Sequence, residues 1–237
     1  QLYTVRWFFY IYAAVMAITF LFSIFQPRPK PVPRPSVRSG LVDLLSDAKM
    51  LLFLLSIFLV SVTLGAANSF LSIYLDAIGT SETGIGLAWS LSAASEIPVM
   101  LYSGMLIRLI SSAVLLKISF VVFGVRWLLM SFITDPTLAV AVQALHGLSF
   151  ATLLTGSVTL LYERAPQGLV TTGQSVLNLV TFGIGSIAGS LRWGFLVETG
   201  GLAWLFRILS LFAASGLLIF LVSQRPRLQP LIQDRQV

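Results

Sequence analysis

Glu96, Arg126 and His146 stand inside long apolar stretches of this sequence, where ionisable side chains are costly. Such a residue at the centre of a lipid bilayer costs roughly 2.5–3.5 kcal/mol on insertion scales, so each is a functional candidate by default. Their depths can be compared by helix rise. Glu96 follows the acidic loop residue Glu82 by about 21 Å, Arg126 precedes Asp135 by about 14 Å, and His146 follows Asp135 by about 17 Å. The three therefore reach similar depths, and Glu96 and Arg126 are expected to pair, which lowers the cost of burying both. Two readings stay open for the pair: a proton-coupling site, or a structural lock between two helices. For His146, proton or substrate handling stands beside plain interhelical hydrogen bonding.

Around these three lie uncharged polar residues at helical spacing. Ser92 shares a face with Glu96, and Gln143 shares one with His146 and Gly147. Ser61, Gly65, Asn68 and Ser72 form one stripe; Gln174, Asn178, Thr181, Gly185, Gly189 and Arg192 form another. Asn68, Ser92, Gln143, His146, Gln174 and Asn178 are the expected lining of a substrate cavity, which would recognise a solute by hydrogen bonds. Gly185 and Gly189, four residues apart, are expected to let helices approach closely. Pro98, two residues after Glu96, removes a backbone donor and marks a kink that is either a hinge or static.

The elements that must carry these residues are membrane helices. Of 237 residues, 57% are hydrophobic and 10% charged, against roughly a quarter charged in soluble domains, and mean hydropathy is +0.92. Seven segments are long enough to span the bilayer, at 5–25, 50–74, 84–107, 115–133, 137–161, 169–194 and 202–223. With no cysteine and a single histidine, neither a disulfide framework nor a multi-ligand metal site is expected, and no cofactor. No nucleophile–base constellation is present, so an enzyme is not expected.

The net charge of +6 sits between the apolar blocks and therefore marks membrane orientation, with no nucleic-acid partner expected. Basic residues occupy 26–49 (Arg28, Lys30, Arg34, Arg38, Lys49), 108–117, the stretch after 161, and the tail; the intervening loops carry Asp76, Glu82, Asp135 and Glu198 without Lys or Arg. This alternation places 26–49 and the C-terminus in the cytoplasm of a plasma or bacterial inner membrane. The prolines at 27, 29, 31, 33 and 35 predict an extended linker, and the short stretch that follows, with Asp43 and Asp47, is open to an interfacial helix. The expected organisation is a helix at 1–25, a basic Pro-rich loop at 26–49, a six-helix bundle at 50–224 and a tail at 225–237. The chain opens at Gln1 directly into an apolar run, and its first helix is expected to belong with an upstream part.

The run Leu64-Gly65-Ala66-Ala67-Asn68-Ser69-Phe70, then Gly84-Ile85-Gly86-Leu87, then Ser95-Glu96-Ile97-Pro98, resembles the seventh and eighth helices of major facilitator transporters. Gln143-Ala144-Leu145-His146-Gly147 resembles the tenth helix of the branch that holds lactose permease, nucleoside–proton symporters and phenylpropionate permease-like proteins. Tyr162-Glu163-Arg164-Ala165-Pro166 with Gln174 resembles the loop and helix that follow. The resemblance covers nearly the whole chain. It implies an all-α membrane protein: the six-helix C-terminal bundle of a major facilitator transporter plus one preceding helix.

It further implies an N-terminal six-helix half as partner, with a small organic solute and protons as cargo. In lactose permease-like proteins a carboxylate, an arginine and a histidine on helices eight, nine and ten serve binding and proton coupling, and Glu96, Arg126 and His146 fall on those helices. Two departures are plain. The tenth helix has no second carboxylate within the membrane, since Glu163 stands at its end, and Ile107 replaces the acid of the loop motif whose Gly104 and Arg108 remain. A non-transporting membrane sensor or scaffold or a degenerate half-transporter, and a seven-helix receptor, are the alternatives from other classes.

Overall fold

The computed structural model describes residues 2–26, 37–166, 168–191 and 193–225. The chain divides into two compact units, Gln1–Arg34 and Pro35–Val237. The first contains α1, Leu2–Ile24, whose 23 residues rise about 35 Å. Its Thr19 and Ser23 hydroxyls donate to the carbonyls of Val15 and Phe20, so this apolar helix keeps its polar groups satisfied internally.

The second unit contains α2 (Val37–Ser46), α3 (Ala48–Ala77), α4 (Glu82–Leu101), α5 (Ser103–Met130), α6 (Pro136–Arg164), α7 (Val170–Leu191) and α8 (Trp193–Ser223). Among the described residues six helices are long and apolar enough to cross a membrane: α3 to α7, and Gly200–Ser223 within α8. Local chemistry sets their starts. The Asp47 carboxylate caps α3 by accepting from the Lys49 amide, and Ser81 caps α4 by accepting from Gly84. Asp135 caps α6 by accepting from Leu138 at 2.8 Å, with Pro136 at the first helical position, where its missing N–H costs nothing.

Helix α3 lies at the centre, with 72% of its apolar window buried. It packs on α7 and α8; α8 also packs on α5, and α6 packs on both α4 and α5. Lipid tails are as apolar as leucine, so close fit rather than hydrophobicity holds such helices together. The fit is visible at α3–α7, where a Cβ on Gly65 would lie 2.3 Å from the Ser186 carbonyl and one on Gly189 would lie 2.2 Å from that of Val62. At the α3–α5–α8 junction aromatic rings interlock: Phe120 with Phe220 at 5.4 Å and Tyr74 with Phe206 at 4.9 Å. Two interhelical hydrogen bonds satisfy the aromatic polar tips: Trp127 donates to Thr63 at 3.0 Å, and the Tyr74 hydroxyl donates to the Met130 carbonyl.

Residues 37–46 form a helix in the stretch open to an interfacial helix; the proline run itself, 27–36, lies outside the described residues, as do Arg192 and 226–237. The helices depart from the sequence expectation at three places. The expected loop at 108–117 is helical on both sides of one break, at Ser111. Helix α4 ends at Leu101 rather than 107, and Tyr102 turns the chain while donating to the Pro98 carbonyl at 3.1 Å. Finally, α6 and α7 each contain a π-helical segment, Gly147–Ala151 and Leu179–Ile184, which hydropathy patterning cannot register.

Ser111 adopts φ 64, ψ 157, a region essentially reserved for glycine, and holding a β-carbon there costs about 1–3 kcal/mol. Its neighbour Ser112 fixes the break by donating to Glu163 at 2.6 Å. Ser111→Gly is expected to stabilise the protein by about 1 kcal/mol, the released strain exceeding the added entropy of an unfolded glycine. A melting temperature in detergent that is unchanged or lower than wild type would contradict this. By contrast, the break in α8 falls on Gly201 at φ 79, where no strain arises.

Candidate functional site

Helices α4, α5 and α6 bring Glu96, Arg126 and His146 into one connected row. The His146 Nε2 lies 3.1 Å from Glu96 Oε1. Arg126 Nη1 lies 2.7 Å from His146 Nδ1, and Arg126 Nη2 donates to Gln143 Oε1. Gln143 passes the chain on by donating to the Ala139 carbonyl at 2.9 Å. Helix depth alone predicts a direct pair of carboxylate and guanidinium, but the two do not meet; the imidazole stands between them. A guanidinium has donors only. Nδ1 must therefore be the acceptor, which leaves the ring proton on Nε2, aimed at the carboxylate. An imidazolium cannot keep this contact, because both partners would then present protons. The row thus holds one cation, one neutral ring of fixed tautomer and one carboxyl group that accepts from that ring.

Burial differs along the row. Arg126 is 2% exposed and Gln143 is fully buried, whereas the Glu96 side chain is 22% exposed and His146 15%. The guanidinium also lies 4.5 Å over the Trp127 ring, a cation–π contact that strengthens when desolvated. Its Nε has no partner. The carboxyl group is the accessible end and the cation the locked end.

A close backbone contact holds the row together. The Gly147 amide donates to Ser95 Oγ at 2.8 Å, and a Cβ on Gly147 would fall 1.9 Å from the Ser95 carbonyl oxygen. Without a side chain there, α6 touches the α4 backbone beside Glu96, and His146 comes within reach of the carboxylate. Sequence reasoning placed Gly147 on the right face but did not single it out with Ser95. The signal was the Gly that follows the lone intramembrane His.

Helix α6 is itself interrupted at these residues. Gln143 and Ala144 form a turn, the His146 amide donates to the Gln143 carbonyl at 2.9 Å, and the π segment starts at Gly147. π-Bulges recur at functional sites because they re-aim side chains and loosen the local hydrogen-bond ladder.

Next to the row is a cavity of about 180 Å³, lined by α3, α6 and α7 through Asn68, His146, Phe150, Thr181, Phe182 and Ser186, among others. The His146 ring stacks on Phe150 with centroids 5.2 Å apart. Of the expected lining, only Asn68 and His146 are there. Gln143 is turned to Arg126, and Ser92 is buried with its hydroxyl on the Ala88 carbonyl. Gln174 sits near the start of α7, 3.4 Å from the Val158 carbonyl, and Asn178 is exposed outside the cavity. Thr181 and Ser186 take their place, because the π segment shifts the register of α7 behind Asn178. Gly185 sits against Ser61, its Cβ position 2.5 Å from the Ser61 Cβ. Among the described residues no group of His, Asp or Glu is arranged to hold a metal.

The six-helix bundle is that of a major facilitator protein. The profile described as "MFS_1 like family" matches residues 1–208, and the chain belongs to that family. It is an integral, multi-pass membrane protein. The chain is 25% identical over 219 residues to major facilitator superfamily domain-containing protein 6-like protein B of Xenopus laevis, covering 91% of this chain and 36% of that protein. It is 25% identical over 217 residues to maltose permease of Geobacillus stearothermophilus, covering 90% and 55%. In fold it is similar to the crystal structure of nucleoside transporter NupG (D323A mutant), with a TM-score of 0.73 and 20% identity over 91% of this chain and 60% of that one. The chain spans from 29% to 56% of the length of the curated relatives it matches.

Proposed function

We propose that this chain is the C-terminal half of a secondary transporter that moves a small organic solute with a proton by alternating access. The observation that supports it most is the Glu96–His146–Arg126 row beside a cavity whose wall includes the same His146. Six-helix halves that rock about a midplane site are the general scheme of such transporters. The basic stretches around 26–49 and the C-terminus would face the cytoplasm.

In this reading Glu96 is the proton site. It is the accessible end of the row, and among the described residues it is the only carboxylate in it. As a carboxylate it draws the Nε2–H of His146 through a charge-assisted bond, which is roughly twice as strong as a neutral one. Protonation removes that charge, weakens the hold of α4 on α6, and leaves Arg126 uncompensated. The arrangement of α4 against α6 that is favoured with a charged Glu96 is then no longer favoured. His146 passes this change to the cavity wall, since it belongs to both.

The test uses the native polypeptide that carries this segment, reconstituted in proteoliposomes with maltose, uridine and 3-phenylpropionate as trial solutes. Glu96→Gln mimics the protonated side chain. It is expected to abolish accumulation driven by an inward proton gradient while solute exchange without a gradient continues. Accumulation by the variant equal to wild type would remove Glu96 from coupling. Loss of exchange together with accumulation, in a protein that still folds, would favour a structural role for the row.

A further inference from the structure

One end of the bundle carries positive charge that its carboxylates do not reach. Among the described residues the acids at this end are Asp43, Asp47 and Glu163. Asp47 caps α3, Glu163 accepts from Ser112 at 2.6 Å, and both attract the Arg164 guanidinium. Asp43 is on α2, which packs on α3 and α7. The acids therefore gather on the α2–α3–α6 side, together with Lys49 and Arg164. Arg108, Lys117 and Arg225 have no carboxylate within 4 Å among the described residues.

Lys117 is the most deeply placed of these three cations. It lies in α5, six residues and about 9 Å beyond the break at Ser111, and is half-buried. A lysine at such a depth lays its stem along apolar surface and turns its ammonium back to the headgroup layer. Helix packing sets its direction. Gly124, seven residues on and so on the same face of α5, has its Cβ position 3.9 Å from the Ala213 Cβ of α8. One step nearer the end, Phe120 meets Phe220 with centroids 5.4 Å apart, so α5 and α8 run antiparallel. Lys117 lies about 4.5 Å and Arg225 about 7.5 Å beyond that ring pair, toward the same end. Lys117 thus borders the seam between α5 and α8, and Arg225 stands at its mouth. Arg108 is three residues before the Ser111 break and is exposed. Next to the seam the surface is apolar, with Val114, Val121, Leu218 and Leu221 all exposed.

We propose that the α5–α8 seam at this end binds an anionic phospholipid. Its phosphate sits between Lys117 and Arg225, and its acyl chains lie along Val121 and Leu218. Basic pockets between membrane helices hold anionic headgroups in this way. Charge balance selects the lipid class: a zwitterionic headgroup brings its own ammonium and leaves the excess positive charge in place, whereas phosphatidylglycerol or cardiolipin neutralises it. The site is on the lipid-facing side of α5 and α8, away from the Glu96–His146–Arg126 row, and does not depend on the transport reading.

The test uses the native polypeptide that carries this segment, in detergent, with bound lipid counted by native mass spectrometry. Phosphatidylglycerol and phosphatidylcholine with the same acyl chains are titrated separately. The wild type should bind phosphatidylglycerol the more tightly. Lys117→Gln should weaken that binding about fivefold, the effect of one basic residue near a membrane surface, and leave phosphatidylcholine unaffected. Arg225→Gln should repeat the loss, and Lys117→Arg should retain the affinity. Arg207→Gln is the control: it removes the same charge nearer the opposite end of α8, where Arg207 lies 5.0 Å over the Phe132 ring, and should change nothing. Wild-type affinity in both Lys117→Gln and Arg225→Gln, an equal loss of phosphatidylcholine, or an equal loss in Arg207→Gln overturns the inference. Release of phosphatidylglycerol by millimolar inorganic phosphate would identify a free-anion site and overturn it as well.

Discussion

If the row couples transport to protons as proposed, Gly147→Ala is expected to lower proton-driven uptake by about a hundredfold, the scale of loss for a misplacement near 1 Å at a reacting group. The added methyl would sit 1.9 Å from the Ser95 carbonyl oxygen and 2.8 Å from the Glu96 amide nitrogen, distances that neither backbone can absorb locally. Helix α4 and α6 must part, and the gap opens next to the 3.1 Å contact between His146 and Glu96. Overpacking of this kind also costs about 1–3 kcal/mol of stability. The control is Gly86→Ala on the same α4, where nothing lies within 4 Å of the new Cβ and uptake should be unchanged. Equal activity of the two variants would mean that the close approach does not position the row. Ser95→Ala removes the hydrogen bond to the Gly147 amide but not the close contact, and should fall between them.

Arg126→Leu should have the largest effect on stability. Removing one partner of a fully buried charge pair costs about 3–5 kcal/mol, and the loss here should be up to that size, because Glu96 is partly exposed and reaches Arg126 only through His146. Here the loss also leaves His146 Nδ1 and Gln143 Oε1 without their donor. If uncompensated charge is the cause, Arg126→Leu combined with Glu96→Gln should regain much of that loss, since the row then carries no charge. The comparison is made by thermal unfolding of both variants in detergent. A double variant no more stable than Arg126→Leu alone would assign the cost to packing against Trp127, where the guanidinium lies 4.5 Å from the ring centroid.

The two variants probe different links in one chain of cause. Gly147 sets the distance between helices, and Arg126 sets the charge balance that makes the distance matter. Glu96→Gln alone should destabilise the fold less than Arg126→Leu, since the amide oxygen still accepts from His146 and Arg126 keeps His146 and Gln143 as partners.

Much of this protein was legible from the sequence by itself. Apolar runs of membrane-spanning length fix where α3 to α8 lie, because a backbone in lipid has no other way to satisfy its hydrogen bonds than to form helices. Helix rise gave Glu96, Arg126 and His146 a common depth, and all three are found in one row. The resemblance around Ser95-Glu96-Ile97-Pro98 and Gln143-x-x-His146-Gly147 gave the family. What the tertiary structure decided was which groups meet. Depth is a one-dimensional quantity, and the rotation of each helix about its axis is set by close packing, which periodicity does not encode. That is why the imidazole stands between carboxylate and guanidinium, and why Gln143 serves Arg126 rather than the cavity.

The two π segments decided the rest. Each breaks the 3.6-residue period on which a stripe argument depends, so Gln174 and Asn178 no longer lie in line with Thr181 and Ser186. The cavity exists only because three helices, separated by tens of residues in sequence, place Asn68, Phe150 and Thr181 around one space. The 1.9 Å clearance at Gly147 likewise belongs to a pair of helices, not to either sequence segment.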